Sequence, residues 1–183
     1  MANNLKTKVI TGIVRLSYEH VWEPASINGG EEKYSASLII PKSDKKTVAD
    51  IEAAVEAAIT EGIGKFGGKK PNKAALKLPL RDGDTEREDE AYKDSFFVNA
   101  NSRTAPQIVD RAVRPILDRN EVYSGCYIRA SISFYAFNSN GNKGVACGLN
   151  NIQKVKDGEP LGGRASATDD FTALDGTDED FLS

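Results

Sequence analysis

The chain has 183 residues, 39% of them hydrophobic and 28% charged, with one histidine and two cysteines. That length suits one domain of about 150 residues plus extra segments, and the composition is too apolar for full disorder. The longest apolar run, around Leu38 to Pro41, falls far short of the ~20 residues that span a bilayer, and so few cysteines and histidines exclude a disulfide scaffold and a tetrahedral zinc site.

Residues 7 to 18 alternate and read as a strand. Ile10, Val14, Leu16 and Tyr18 fall on one face, with Thr11, Ile13, Arg15 and Ser17 on the other. Gly12 predicts a bulge or sharp bend inside it. Pro24 and Asn28-Gly29-Gly30 mark a loop. Tyr34 to Ile40 alternates again, and Pro41 ends that strand. Ser43 or Asp44 then caps a helix. Its Val48, Ile51, Val55, Ala58 and Ile59 recur at helical spacing, and Gly62 and Gly64 stop it. Lys65 to Lys77 reads as a basic loop, Leu76 to Leu80 as a short strand or extended piece, and Asp82 to Glu90 as an acidic surface loop. Phe96 to Ala100 is a further short strand. Val109 to Leu117 contains Pro115 and is at best a short turn of helix. Tyr123 to Phe137 gives the strongest strand pattern in the chain. Asn138 to Asn142 (NSNGN) is a turn, and Gly144 to Val155 returns as the second arm of a hairpin. After a Gly/Pro-rich exit from Asp157 to Arg164, small polar and acidic residues predict disorder. The chain is therefore read as mainly β: a small, strongly bent five-stranded barrel with one long helix over residues 1–164, and an acidic tail over 165–183.

The net charge of −3 conceals a split. Ala165 to Ser183 hold six acids and no Lys or Arg, which leaves the first 164 residues at +3. Asp82 to Asp94 hold seven acids against Arg87 and Lys93, so the rest of the body stands at +8. A basic body with an acidic tail points to a polyanion-binding surface and a segment that competes for it.

Side chains alternate sides along a strand. From Cys126 to Ala136 the even positions are all apolar and form a core face. The odd positions include Tyr123, Tyr127, Arg129, Tyr135 and Phe137. Rings on an outward face serve as stacking platforms for unpaired bases, with Arg129 stacking or contacting a phosphate. The alternative is that the helix or the acidic loop covers this face. Arg15, Lys33, Arg103 and Lys143 are further cations expected beside it. Lys65, Lys69, Lys70 and Lys73 form a basic run that reads either as a solvated loop or as a set of phosphate contacts. Trp22 is either a stacking residue or a core plug. Phe96 and Phe97 point to opposite sides, and Phe97 is the one assigned to the surface.

The last residues, Asp178, Glu179, Asp180, Phe181 and Leu182, combine acids with an apolar tip. Such a tail suits two tasks: occupying a basic groove and entering a pocket on a partner protein.

Catalytic motifs fail by their spacing. Asp82-x-Asp84-x-Glu86 opens like a calcium loop, but Arg87 and Lys93 stand where Gly and Glu belong. The glycines near Lys65 and Lys69 lack P-loop spacing. His20 reads as a surface or loop histidine, and Cys126 as an inert core residue. No enzyme, metal or cofactor is expected. A nuclease using the Asp82–Glu90 carboxylates stays open, as does a protein–protein adaptor.

The stretches ITGIVRLSYEHVWEP, NGGEEKYSASLIIPKSDK, FFVNANSRTAPQIVD, VYSGCYIRASISFYAFN and GNKGVACGLNNIQKVKDGEPLGG together resemble a bacteriophage family of single-stranded-DNA-binding proteins, formerly a domain of unknown function. The resemblance spans roughly residues 7 to 163. It implies an OB fold, a partly open Greek-key barrel whose sheet face and loops bind oligonucleotides. It also implies coating of single-stranded DNA in replication, recombination or repair, with strand annealing as a close alternative. The tail is similar in style to the acidic, aromatic-ended tails of such binders, which recruit phage or host replication proteins, although this one ends Phe181-Leu182-Ser183. The N-terminus lacks a basic-then-apolar signal, and the expected location is the bacterial host cytoplasm.

Overall fold

The computed structural model describes residues 6–26, 29–161 and 173–174. Its strands are β1 (Lys8–Ile10), β2 (Val14–Ser26), β3 (Glu32–Pro41), β4 (Arg81–Asp82), β5 (Ser95–Ser102), β6 (Gln107–Val109), β7 (Tyr127–Ser139) and β8 (Asn142–Lys156). Helix α1 (Lys45–Glu61) follows β3, and the single turn α2 (Gly83–Glu86) follows β4.

The five long strands form a ring in the order β7, β2, β3, β5, β8 and back to β7. All neighbours are antiparallel except β5 and β8. Two seams are only two residue pairs wide: Val14 and Arg15 against Ile128 and Tyr127, and Ala100 and Asn101 against Cys147 and Gly148. The barrel is thus partly open, the arrangement of an OB fold. The short strands β1, β4 and β6 extend its edges. The expected division at residues 164 and 165, and the expected disorder beyond it, concern residues that, apart from Ala173 and Leu174, lie outside those described.

Alternation on β7 builds the core. Cys126, Ile128, Ala130, Ile132, Phe134 and Ala136 are all buried, facing Leu16, Leu38, Ile40 and Val98 from across the barrel. Helix α1 plugs one end with Ile51, Val55, Ala58 and Ile59. The Asp44 carboxylate caps it by accepting from the Thr47 amide at 3.1 Å. Most helical stability comes from packing an amphipathic face, and each buried Ile or Val of this helix contributes about 1.5–3 kcal/mol, so packing on the barrel holds it. At the hairpin tip, Asn140 and Gly141 both take left-handed backbone (φ 52 and 86), as a tight two-residue turn requires.

Three expectations change. Alternation puts Ile10 and Tyr18 on the core face, yet they are 50% and 59% exposed. The chain breaks at Gly12, whose amide donates to Thr47 Oγ1 at 2.9 Å, and again at a register shift after Ser17, so parity is not kept. Val109 to Leu117 forms no helix. Asp110 Oδ1 accepts from the Ala112 and Arg114 amides at 2.8 and 3.0 Å, closing a tight turn, and Pro115 bridges back to Val109. Finally, β7 begins at Tyr127, four residues after its predicted start, because Gly125 has φ 115 and breaks the extended run.

Gly125 also lies against the backbone carbonyl of Glu159, with no room for a Cβ. Gly125→Ala is expected to lower stability by roughly 2–4 kcal/mol through strain and overpacking. Chemical denaturation checks it, and an unchanged midpoint would contradict the packing described.

Candidate nucleic-acid interface

The pleat of β3 sends Ala36, Leu38 and Ile40 inward and Ser35, Ser37 and Ile39 outward. Opposite these outward residues, β5 presents Asn101, Asn99 and Phe97 in register. The outer face divides in two. Around Ile39 it is dry: Tyr92 drops in from the β4–β5 connection, meets Phe97 edge-on at 5.2 Å, and donates from its hydroxyl to Ser37 Oγ at 2.9 Å. Leu161 packs on the same cluster. Beyond Ser37 the face is open. A groove of about 660 Å³ lies there, floored by Ser35, Ser37, Asn99 and Asn101, with Lys33 and His20 also lining it.

Tyr18 and Arg87 border the groove. Tyr18 sits where the β2–β3 register shifts between Ser17 and His20, and its φ is 45. A bulge of this kind re-aims a side chain, and here it turns the ring outward. The Arg87 guanidinium carbon lies 5.6 Å from the Tyr18 ring centroid, 5.4 Å from Tyr92 and 5.0 Å from Phe97. Sequence reasoning missed both residues. Tyr18 fitted an apolar alternation that the bulge interrupts. Arg87 carried a usable signal, as a cation inside an acidic run.

The outer face of the β7–β8 hairpin carries the residues that the sequence singled out. Tyr135 is 46% exposed and lies over Gly148. It lines a second groove of about 660 Å³ with Lys8, Lys65, Ser133 and Asn150. Phe137 is half-buried beside the hairpin tip, where Lys143 pairs with Asn138. Arg129 is exposed, with Nε donating to the Thr11 carbonyl at 3.0 Å. Tyr127 is half-buried, with Arg15 at 5.6 Å and Lys156 at 4.9 Å from its ring centroid. Arg15 is itself tied to the carbonyls of Gly125 and Glu159.

Other expected contacts lie elsewhere or are occupied. Phe97 does face outward, but Tyr92 and Arg87 cover it and leave it 1% exposed, so it presents no ring face to a base. Trp22 is half-buried: it packs against the core and donates to the Val122 carbonyl at 3.0 Å. Tyr123 packs on the core with its hydroxyl held by Asp157 and Gly158. Burial pushes its phenol upward in pKa, although the backbone hydrogen bond to Gly158 opposes this. Lys70 and Lys73 both pair with Glu56 of α1. Lys65 donates to the Ala136 carbonyl at 3.0 Å, and Lys69 is exposed on the same loop. Arg103 pairs with Glu31 at 3.1 Å at the groove's edge. Asp178, Glu179, Asp180, Phe181 and Leu182 lie outside the described residues.

The acidic connection is anchored through its own carboxylates. Lys42 Nζ lies 2.8 Å from both Asp82 and Asp84. Hydrogen bonding to Lys42 holds both carboxyls below their ordinary range and raises the lysine. Asp84 also accepts from the Asp94 amide, closing the loop at 2.9 Å. These two carboxylates are thus committed to a lysine, which weakens the nuclease reading. Cys126 and Cys147 are buried thiols whose pKa values burial pushes up. No helix among the described residues is long and apolar enough to cross a membrane.

A family model described as the single-stranded-DNA-binding protein of Enterobacter phage Enc34 matches residues 7–182. A putative protein p50 of Acyrthosiphon pisum secondary endosymbiont phage 1 is 31% identical, over 96% of this chain and 98% of its own length. The single-stranded DNA-binding protein of bacteriophage Enc34, solved in complex with single-stranded DNA, superposes with a TM-score of 0.74 at 25% identity. The match covers 85% of this chain and 90% of that one. The gp2.5 single-stranded DNA-binding protein of bacteriophage T7 shares the fold, with a TM-score of 0.62 at 14% identity, covering 90% and 94% of the two chains.

The Lys42 anchor sets a pH window for the β4–β5 connection. The depressed carboxyls stabilise the folded loop above their unfolded value of about 3.8, and the gain is lost as pH falls through their lower folded values. The raised lysine stabilises below about 10.5, and that gain is lost as pH rises through its higher folded value. Hydrogen-exchange protection at the Asp84 and Asp94 amides should therefore hold from pH 5 to 9 and drop below about pH 3.8. Lys42→Ala should lower it already at pH 7. Equal protection in the variant would contradict the anchor.

Proposed function

Because the chain belongs to the Enterobacter phage Enc34 single-stranded-DNA-binding protein family, we propose that it binds single-stranded DNA without reading its sequence, across the outer face of β2, β3 and β5. The observation that carries this reading is the open groove above Ser35, Ser37, Asn99 and Asn101, on the strand pair an OB fold uses for oligonucleotides. It is a trough of short polar side chains with cations at its edges, suited to a flexible strand. Stacking and phosphate contacts are sequence-tolerant, because every base has a flat face and every nucleotide a charge. From the groove the strand continues along the register Asn101, Gly148, Ser133 to Tyr135 on the hairpin, where Lys8 and Lys65 flank a second trough.

The tail over 165–183 completes the proposal. Leu161, the last residue described before the tail, packs beside the groove on the Ile39–Phe97 cluster, and 22 residues follow it. Their reach, up to ~75 Å when extended, covers the whole groove. Six acids there compete with DNA, and Phe181 and Leu182 engage a phage or host replication or recombination protein in the bacterial cytoplasm.

Oligothymidine titrations test the binding. Single strands should bind much more tightly than duplex, with log affinity falling against log salt at about 0.7 per phosphate contact. Tyr135→Ala should cost about 1–3 kcal/mol if that ring stacks a base. Equal affinity for both DNA forms, or a flat salt response, would favour the adaptor reading instead.

Deleting residues 165–183 should tighten binding at low salt and reduce capture of partner proteins. Unchanged affinity for oligothymidine would exclude competition by the tail.

A further inference from the structure

We infer that Tyr18 is the base-stacking residue of the β2–β3–β5 groove, and that Arg87 is the positioning residue that fixes its ring; this rests on the reading of that groove as the DNA site. The backbone supplies the first observation. A tyrosine at φ 45 occupies left-handed space that disfavours a residue with a Cβ and suits Gly or Asn. Strain of this kind persists where the surroundings impose it and clusters at ligand sites. Here it buries no ring in the core, because the residue is 59% exposed and lies outside both buried clusters.

The second observation is the support behind the ring. Arg87 reaches the groove from the β4–β5 connection, over a floor of two buried rings, Tyr92 and Phe97. It extends from that floor to Tyr18 at 5.6 Å and turns a solitary exposed ring into a supported one. One side of the tyrosine is backed by the guanidinium, and the remaining exposure opens into the groove. A planar, uncharged ligand fits there: an unpaired base, with its backbone running toward Lys33. Ser35, Asn99 and Asn101 on the floor offer hydrogen bonds that suit any base edge.

Arg87 also gives the acidic insertion a purpose. Lys42 and Tyr92 fasten that connection to the barrel, so the guanidinium is held in place before DNA arrives. The arrangement is therefore set before binding, which reduces the ordering cost of association.

The test compares the full chain with Tyr18→Gly, Tyr18→Phe, Arg87→Ala and the Tyr18→Gly/Arg87→Ala double variant. Each is titrated with oligothymidine and with an abasic oligonucleotide of equal length and charge at one salt concentration, alongside thermal unfolding. Wild type should prefer oligothymidine. Tyr18→Gly should lose roughly 5- to 150-fold for oligothymidine, bind the abasic strand as before, and melt no earlier than wild type because glycine relieves the left-handed strain. Tyr18→Phe should keep the preference. Arg87→Ala should reduce the preference in the wild-type background and leave it unaltered when Tyr18 is already glycine. A Tyr18→Gly protein that melts earlier, or loses both oligonucleotides equally, would show a packing role and overturn the inference. So would unaltered oligothymidine affinity in that variant while wild type binds, although the groove reading would then survive. A wild-type chain that binds neither oligonucleotide would sink the groove reading itself.

Discussion

One strand serves two seams of the barrel. β2 joins β7 at Val14 and Arg15 and pairs with β3 as far as Ser26. A regular ribbon does not match both neighbours around so small a ring, because closure demands strong tilt and bending. The chain answers with a break at Gly12 and with register shifts on either side of His20. Each irregularity re-aims the side chains beyond it. The Ser17–His20 shift places Tyr18 outside, and the resulting face differs from that of a regular strand.

The same face shows how an acidic insertion becomes part of a cationic site. Asp82 and Asp84 both pair with Lys42, and Tyr92 seals half of the β3–β5 surface. Arg87 emerges at the border between the sealed half and the open half. Counting charges along the chain hides the placement of individual groups: two of this segment's acids hold Lys42, and its arginine lines the groove. Several cations expected to meet DNA undergo the reverse change: Lys70 and Lys73 of the basic run face Glu56, and Arg15 of β2 holds the exit segment.

The two grooves differ in how their rings are supported. Tyr135 lies against Gly148 of the neighbouring strand. Tyr18 rests on a guanidinium. In each case a neighbouring group supports one side of the ring and the rest stays open to a base.

Sequence alone determined the elements whose signals are local. Strict alternation from Cys126 to Ala136 identified the core face of β7, Asp44 and the Ile51–Ile59 spacing identified the helix, and NSNGN identified the hairpin turn, because the period and turn chemistry are properties of a few neighbouring residues. The resemblance of five stretches to a phage family agreed with the barrel they build. Tertiary structure decided which outward rings stay uncovered. Alternation puts Phe97 on the correct face, yet Tyr92, held over β3 by its hydrogen bond to the sequence-distant Ser37, covers it. It puts Tyr18 on the wrong face, because a bulge leaves no mark in an apolar alternation. Exposure is a relation between segments far apart in the chain, so it exists only once the barrel has closed.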